Sequence, residues 1–365
     1  MINLNFLPSR RLALYMARLF LTRSAAVMVA LVMVLMALDL LGESPKILAV
    51  PGNGEAELWH YVALRVPLLI QRFMPFSVLL GTLICFTALN QHSEVVAMKA
   101  AGLSAHQILA PLIVASIGVA GLAFAFNETI AVNSARQIDA WSDADYKKVP
   151  PETGIETNVW IIDGEDLVRA GYVGANRGRI HLERVTIYDR QGITLRRTIE
   201  ADRAIQAGTG WRLSTVRIYD ADANVVRRQP TLDALAGVTP DRFRLAKVDP
   251  AELSLPALGL AIAELRAAGR PTDEALTGWW HKLSGPLSTL LMPLLAAVAA
   301  FGLARAGQVL LRASVGMALG FAYFVADNFS IALGNSGAYP PLLAAWAPFM
   351  LFLLIGEFIL IRGEE

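Results

Sequence analysis

The residues of this chain that can do chemistry are few and scattered. Its five histidines, His60, His92, His106, His181 and His281, are not placed at the spacings that hold a metal. No His-Glu-x-x-His, Cys-x-x-Cys or Gly-x-Ser-x-Gly run occurs, which argues against a membrane metalloprotease or serine protease. There is also no Gly-x-x-x-x-Gly-Lys-Ser/Thr loop, so the chain lacks that backbone cradle for phosphate. If ATP drives this protein, another subunit binds the ATP. Cys85, the single cysteine, cannot close an internal disulfide and sits in an apolar run, where it behaves as a small hydrophobe.

The most informative stretch is 90–104, Asn-Gln-His-Ser-Glu-Val-Val-Ala-Met-Lys-Ala-Ala-Gly-Leu-Ser. Ser93 is placed to cap a short helix, Glu94 suits the positive end of its dipole, and Gly102 suits a left-handed stop. Two readings stay open for this amphipathic helix. In one it is a docking point for a soluble motor domain, with Val95 and Met98 as apolar knobs and Glu94 as an ionic handle. In the other it rests on lipid headgroups. Two acids lie in apolar surroundings. An ionised Asp327 at the bilayer centre costs about 2.5–3.5 kcal/mol on insertion scales, so it needs a partner. It is either a packing hydrogen bond near Tyr323 and Asn328 or a gate residue. Glu357 reads as structural.

Elements that place these residues follow from composition. The 365 residues are 55% hydrophobic and 17% charged, against about 25% charged in an average soluble protein. Residues 131–275 hold 20 Lys/Arg and 21 Asp/Glu of the 63 charges, so two apolar blocks flank one polar domain. A net charge of +1 provides no field that would collect nucleic acid, and none is expected as a partner. A span of about 20 helical residues crosses the hydrocarbon. Six candidates meet that length, at 12–41, 66–89, 108–130, 283–303, 313–333 and 342–361. With the N-terminus in the cytoplasm, inner segments carry Arg10, Arg11, Arg18, Arg23, Lys99, Arg305, Arg312 and Arg362, while short outer loops carry only Lys46 and Arg65. Both termini are then cytoplasmic and the polar domain lies outside, in the periplasm of a Gram-negative cell.

Within the polar domain, period-two runs alternate with turn residues. They include Val159-Trp160-Ile161-Ile162 before Asp163-Gly164, Trp211-Arg212-Leu213 after Gly208-Thr209-Gly210, and Ile180, Leu182, Val185, Ile187 with one extra residue at Glu183-Arg184, as at a bulge. An antiparallel sandwich or jelly roll is expected, serving either as a stabilising cap or as a shelter for acyl chains. Residues 254–269 have helical spacing, with Leu258, Ile262 and Leu265 apolar. The expected architecture is an α-helical membrane protein with six transmembrane helices, three plus three, and an inserted periplasmic all-β, jelly-roll-like domain. Its segments are 1–134 with the short cytoplasmic helix at about 91–103, the sheet domain 135–250, a linker helix within 251–278, and 279–365.

The stretches 79–83 and 90–102 resemble the corresponding stretch of the lipopolysaccharide export permeases LptF and LptG, the YjgP/YjgQ family. Val159-Trp160 to Asp163-Gly164, Thr186-Ile187-Tyr188, Trp211-Arg212-Leu213-Ser214, Tyr323 to Asp327 and Tyr339-Pro340-Pro341 follow in the family's order. Trp280-His281-Lys282-Leu283 and the Pro-Pro loop are more similar to the LptG side. The resemblance implies a heterodimer with an LptF-type paralogue, an LptB-type ATPase dimer that holds ATP and magnesium, and an LptC-type single-span protein. It implies lipopolysaccharide as cargo, drawn from the inner membrane and passed to a periplasmic bridge, with no catalysis on this chain. Glu94 inherits contact with the ATPase; Val95, Met98, Lys99 and Gly102 inherit the surface around it. The LptG pattern of lysines at the outer end of the first span is missing, with Asp39 and Glu43 there instead. Lys46, Arg65, Arg72 and Arg136 are therefore the headgroup candidates, unless the glycolipid bears fewer phosphates. A stand-alone secondary transporter or membrane scaffold is the competing reading, weakened because only Asp327 approaches the midplane.

Overall fold

The computed structural model describes residues 8–147, 156–176, 179–192, 194–208, 210–220, 226–239, 243, 248–267, 269–299 and 309–362. Residues 300–303 of the expected fourth span, together with Arg305 and Thr209, lie outside them.

Helices come first, because long uncharged runs leave the backbone only itself to hydrogen-bond in hydrocarbon. They are α1 (Arg10–Leu48), α2 (Glu55–Gln91), the short α3 (Glu94–Ala100) and α4 (Ala105–Phe126), which passes through a π-helical turn (Asn127–Ala131) into α5 (Val132–Asp143). After the strands come α6 (Leu255–Ala267), α7 (Asp273–Ala297), α8 (Val309–Asn335) and α9 (Pro341–Arg362). Among the described residues five helical stretches are long and apolar enough to cross a membrane, namely Arg10–Leu48, Glu55–Gln91, Ala105–Asp143, Ser314–Asn335 and Pro341–Arg362. The remaining expected span, the fourth at 283–303, corresponds to α7, whose described part ends in buried residues and which does not meet that standard by itself.

The chain divides into two compact units. The first contains residues 1–48, 53–136 and 250–365. Its core gathers Met16 and Phe20 of α1, Leu79, Phe86 and Leu89 of α2, Ile108 and Leu112 of α4, and the run 294–297 of α7. Small residues let these helices approach closely, as expected where apolar lipid supplies no driving force for association. A methyl group on Gly81 would lie 2.5 Å from the Ser24 Cα and 2.6 Å from its nitrogen, and one on Gly356 would meet Leu294. By contrast, α1 buries few residues: Met16, Phe20, Ser24, Met36 and Ile47.

The second unit contains residues 49–52 and 137–249. Its six strands, β1 (Glu156–Asp163), β2 (Asp166–Asn176), β3 (Arg179–Gln191), β4 (Thr194–Ala207), β5 (Gly210–Asp220) and β6 (Val226–Ala234), form one antiparallel sheet in the order β1-β2-β3-β4-β5-β6. The all-β expectation holds, but the connectivity is a meander and not the crossover order of a jelly roll. Tight turns at Gly164, Gly192 and Gly208, all at positive φ, return β2, β4 and β5 beside their predecessors.

One row across this sheet interrupts the bridge pairing in every strand and the pleat in β2–β5. It runs Asn158, Gly171, Arg184, Asp202, Thr215, Pro230, each missing from a register that is otherwise continuous on both sides. Arg184 and Thr215 have φ of 53° and 57°. Buried neighbours across the row are three residues apart instead of two: Ala170 and Val173, Leu182 and Val185, Ala201 and Ala204, Leu213 and Val216. Both halves thereby feed one core. The extra residue expected at Glu183-Arg184 is thus part of a sheet-wide crease, whereas the shift of strand register lies between Asp189 and Arg190. The core closes on Trp211, whose Nε1–H donates to the Val238 carbonyl at 2.9 Å and whose ring meets Phe243 edge-on.

Candidate functional site

The short helix α3 is held at one end of the helical unit by its own sequence. At its C-terminus Gly102, at φ +86°, lets Gly102 N–H reach the Lys99 carbonyl at 2.9 Å and Leu103 N–H reach Met98 at 3.1 Å, the paired bonds of a glycine-terminated helix. The N-terminus differs from expectation. Ser93 adopts a left-handed conformation at φ 56° and makes no side-chain cap, because the chain reverses there directly out of α2. Glu94 instead accepts a hydrogen bond from the Tyr15 hydroxyl of α1 at 3.1 Å.

Val95 and Met98, expected as outward knobs, point inward and belong to the buried core. A seven-residue helix has too little backbone cooperativity to stand alone, so these two side chains anchor it. Exposed positions go to Val96, Ala97, Lys99 and Gly102, with Val96 65% exposed. At the same end His106, in the first turn of α4, sits 3.2 Å from Glu357 near the end of α9. The beginnings of α1 and α4, the whole of α3 and the end of α9 therefore gather together.

The four headgroup candidates do not converge. Lys46 is exposed and paired with Glu43 at 2.8 Å. Arg65 grips Asp39 with two hydrogen bonds of 3.0 Å, and the Tyr61 hydroxyl donates to the same carboxylate at 2.6 Å. The acid that displaced the expected lysines thus occupies an arginine. Arg136 donates to the Glu252 carbonyl at 3.0 Å. Arg72 is exposed on α2, seven residues from Arg65 and so on nearly the same helical face.

Asp327 of α8 finds its partner across a helix interface: its Oδ2 lies 3.2 Å from His281 Nε2 of α7. Its side chain is 16% exposed. Tyr323, one turn earlier on α8, is buried and packs edge-on against Phe352. A second polar contact was not foreseen. Glu128, in the π-helical turn, lies 3.5 Å from the Lys282 ammonium and accepts the Leu255 backbone N–H at 2.6 Å. The available signal was a His-Lys pair, His281-Lys282, entering an apolar helix with no acid within one turn of it.

A family model described as lipopolysaccharide export system permease LptF/LptG matches residues 14–362. The chain belongs to the LptF/LptG family. It is similar to the lipopolysaccharide export system permease protein LptG of Escherichia coli strain K12, 27% identical over 314 residues, which cover 83% of this chain and 84% of that protein. The LptG of Haemophilus influenzae strain Rd is 25% identical over 334 residues, covering 86% and 89%. An LptF/LptG membrane permease with several apolar helices and a polar sheet domain accords with the order of elements described above.

Proposed function

We propose that this chain is a permease subunit of an ATP-driven lipopolysaccharide exporter. It works as a mechanical element, with ATP and magnesium held by a separate LptB-type ATPase dimer. An LptF-type paralogue completes the permease, an LptC-type single-span protein joins it, and the glycolipid leaves the inner membrane for a periplasmic bridge. In the proposed arrangement the chain crosses the membrane six times in two groups of three, with both termini and α3 in the cytoplasm and the sheet domain in the periplasm. The observation that carries this reading is α3: a helix of seven residues, anchored by buried Val95 and Met98, that offers Val96, Lys99 and the flank of Glu94 outward at the end where basic Arg10, Arg11 and Arg18 also lie. A surface so fixed from behind transmits a push instead of absorbing it.

Among these four cations exposed Arg72 is the one left to meet anionic headgroups, since Lys46, Arg65 and Arg136 already serve protein acceptors. A charge-assisted hydrogen bond there contributes about 1.5–3 kcal/mol.

The test is Glu94→Arg, with Tyr15→Phe as a control for the lost intramolecular bond. Expected is a chain that still inserts but brings down little ATPase on co-purification and releases no glycolipid with nucleotide, while the Tyr15→Phe chain does both. Normal export by Glu94→Arg defeats the docking surface. A wild-type chain that purifies without any ATPase and moves glycolipid without nucleotide would establish the secondary-transporter reading instead.

A further inference from the structure

The chain leaves the sheet unit at Asp249 and re-enters the helical unit through 250–254, a short strap that leads into α6. Contacts to residues of the helical unit help hold this strap and the start of α6. Arg136 donates to the carbonyl of Glu252 at 3.0 Å, and the Glu128 carboxylate accepts the N–H of Leu255, the first residue of α6, at 2.6 Å. Pro250 packs against Gly278 of α7, where a methyl group could not be accommodated. Behind Glu128 stands Lys282 of α7 at 3.5 Å, with side-chain exposures of 14% and 7% for the pair.

Burying two opposite charges is a poor route to stability, because desolvation consumes most of the attraction. A pair kept in such a place calls for another use. Its backbone setting is also unusual. Glu128 sits in a π-helical turn, Asn127–Ala131, a rare widening of the helix. The side chains of Thr129 and Asn133 bond the Ala125 and Thr129 carbonyls at 2.7 and 2.8 Å, so polar groups support the helix through the widened turn. The wider turn brings the Glu128 carboxylate to where one oxygen takes the ammonium and the other takes the amide.

We propose that Glu128 is a positioning residue of the transport cycle. Its carboxylate clasps Lys282 and the start of α6 together, so that a movement of α7 or of the α4–α5 helix is passed to the strap and, along the covalent chain, to the sheet unit. Arg136 is the second half of this clasp. The idea rests on the exporter reading above, and its test separates the two.

Full-length chain in the reconstituted exporter, assembled in liposomes, is compared as wild type, Glu128→Gln, Glu128→Ala and the swapped Glu128→Lys/Lys282→Glu. The readouts are glycolipid released per ATP hydrolysed, melting temperature, and hydrogen exchange at the Leu255 amide. A clasp requires an acceptor at 128, so both the alanine variant and the charge swap lose about tenfold or more in release per ATP, the scale of one charge-assisted hydrogen bond. Glutamine still accepts from Leu255 and falls between. Restoration by the swap overturns the clasp, since it reduces the contact to a simple ion pair. So does a parallel fall of ATP hydrolysis, release and melting temperature, which marks a purely structural role. If the alanine variant does not accumulate, Glu128→Gln carries the test, and unaltered release per ATP in it overturns the proposal. Absence of nucleotide-driven release by wild type refutes the exporter reading alone; the exchange measurement still decides the clasp, because unchanged protection of Leu255 in Glu128→Ala or in the charge-swapped chain, neither of which has an acceptor at 128, refutes it.

Discussion

Gly81→Ala tests how α1 is held. The added methyl carbon would sit 2.5 Å from the Cα of Ser24, where ordinary contact begins at about 3.4 Å, and besides the Ser24 hydroxyl two of the obstructing atoms are backbone. Neither helix can relieve this by a change of rotamer, so α1 must withdraw by about 0.9 Å at Ser24, at a cost of about 1–3 kcal/mol for overpacking. It will not withdraw evenly. Its other end is tied to α2 by Asp39, which receives Arg65 twice and Tyr61 once. With a rise of about 1.5 Å per residue, Ser24 lies about 22 Å from Asp39 and Tyr15 about 36 Å. A rigid helix pivoting at Asp39 therefore swings about 1.5 Å at Tyr15. The Tyr15–Glu94 hydrogen bond, 3.1 Å long, opens to about 4.5 Å and is lost. The assay is thiol cross-linking between cysteines placed at 15 and 94, with and without Gly81→Ala, beside a melting curve in detergent. Expected are a lower cross-linking yield and a lower melting temperature. Equal yield with an unchanged melting temperature refutes the close-packed pivot.

Other outcomes follow from the same geometry. Gly102→Ala forces a side chain into φ +86° at a cost of about 1–2 kcal/mol, which raises opening of the α3 terminus about 5–30-fold; hydrogen exchange at the 102 and 103 amides reads it directly. Gly102→Asn should be milder, because asparagine tolerates the left-handed region. His281→Leu leaves Asp327 without its observed partner and should lower the melting temperature by an amount equivalent to about 1–3 kcal/mol. Adding Asp327→Asn should recover part of that loss; no recovery would mean the two side chains do not depend on each other.

The spans and strands were legible because hydrocarbon and a half-buried sheet impose periods that composition displays directly. The same holds for Gly102, where backbone geometry itself restricts the residue type. Positions that depend on contacts between distant segments were not legible. Val95 and Val96 are adjacent and chemically alike, and only the packing of α3 on its neighbours buries one and exposes the other. Arg65 looked available until Asp39, 26 residues earlier, came to face it. Glu128 and Lys282 are 154 residues apart, so no window of sequence contains both. Ser93 had the composition of a cap, but the sharp exit from α2 claimed its backbone. The Glu183-Arg184 irregularity was visible in one strand, whereas its extension through six is a property of the assembled sheet.

That row of pleat inversions limits how homologues of this domain can vary in length. A residue gained or lost inside a single strand would move that strand's inversion out of line with those beside it, turning Leu182 or Val185, for example, from interior to solvent. Gains at the hairpin tips leave the alignment untouched. Natural length variation should therefore cluster at the turns near 164, 192 and 208, and be rare between any turn and the row from Asn158 to Pro230.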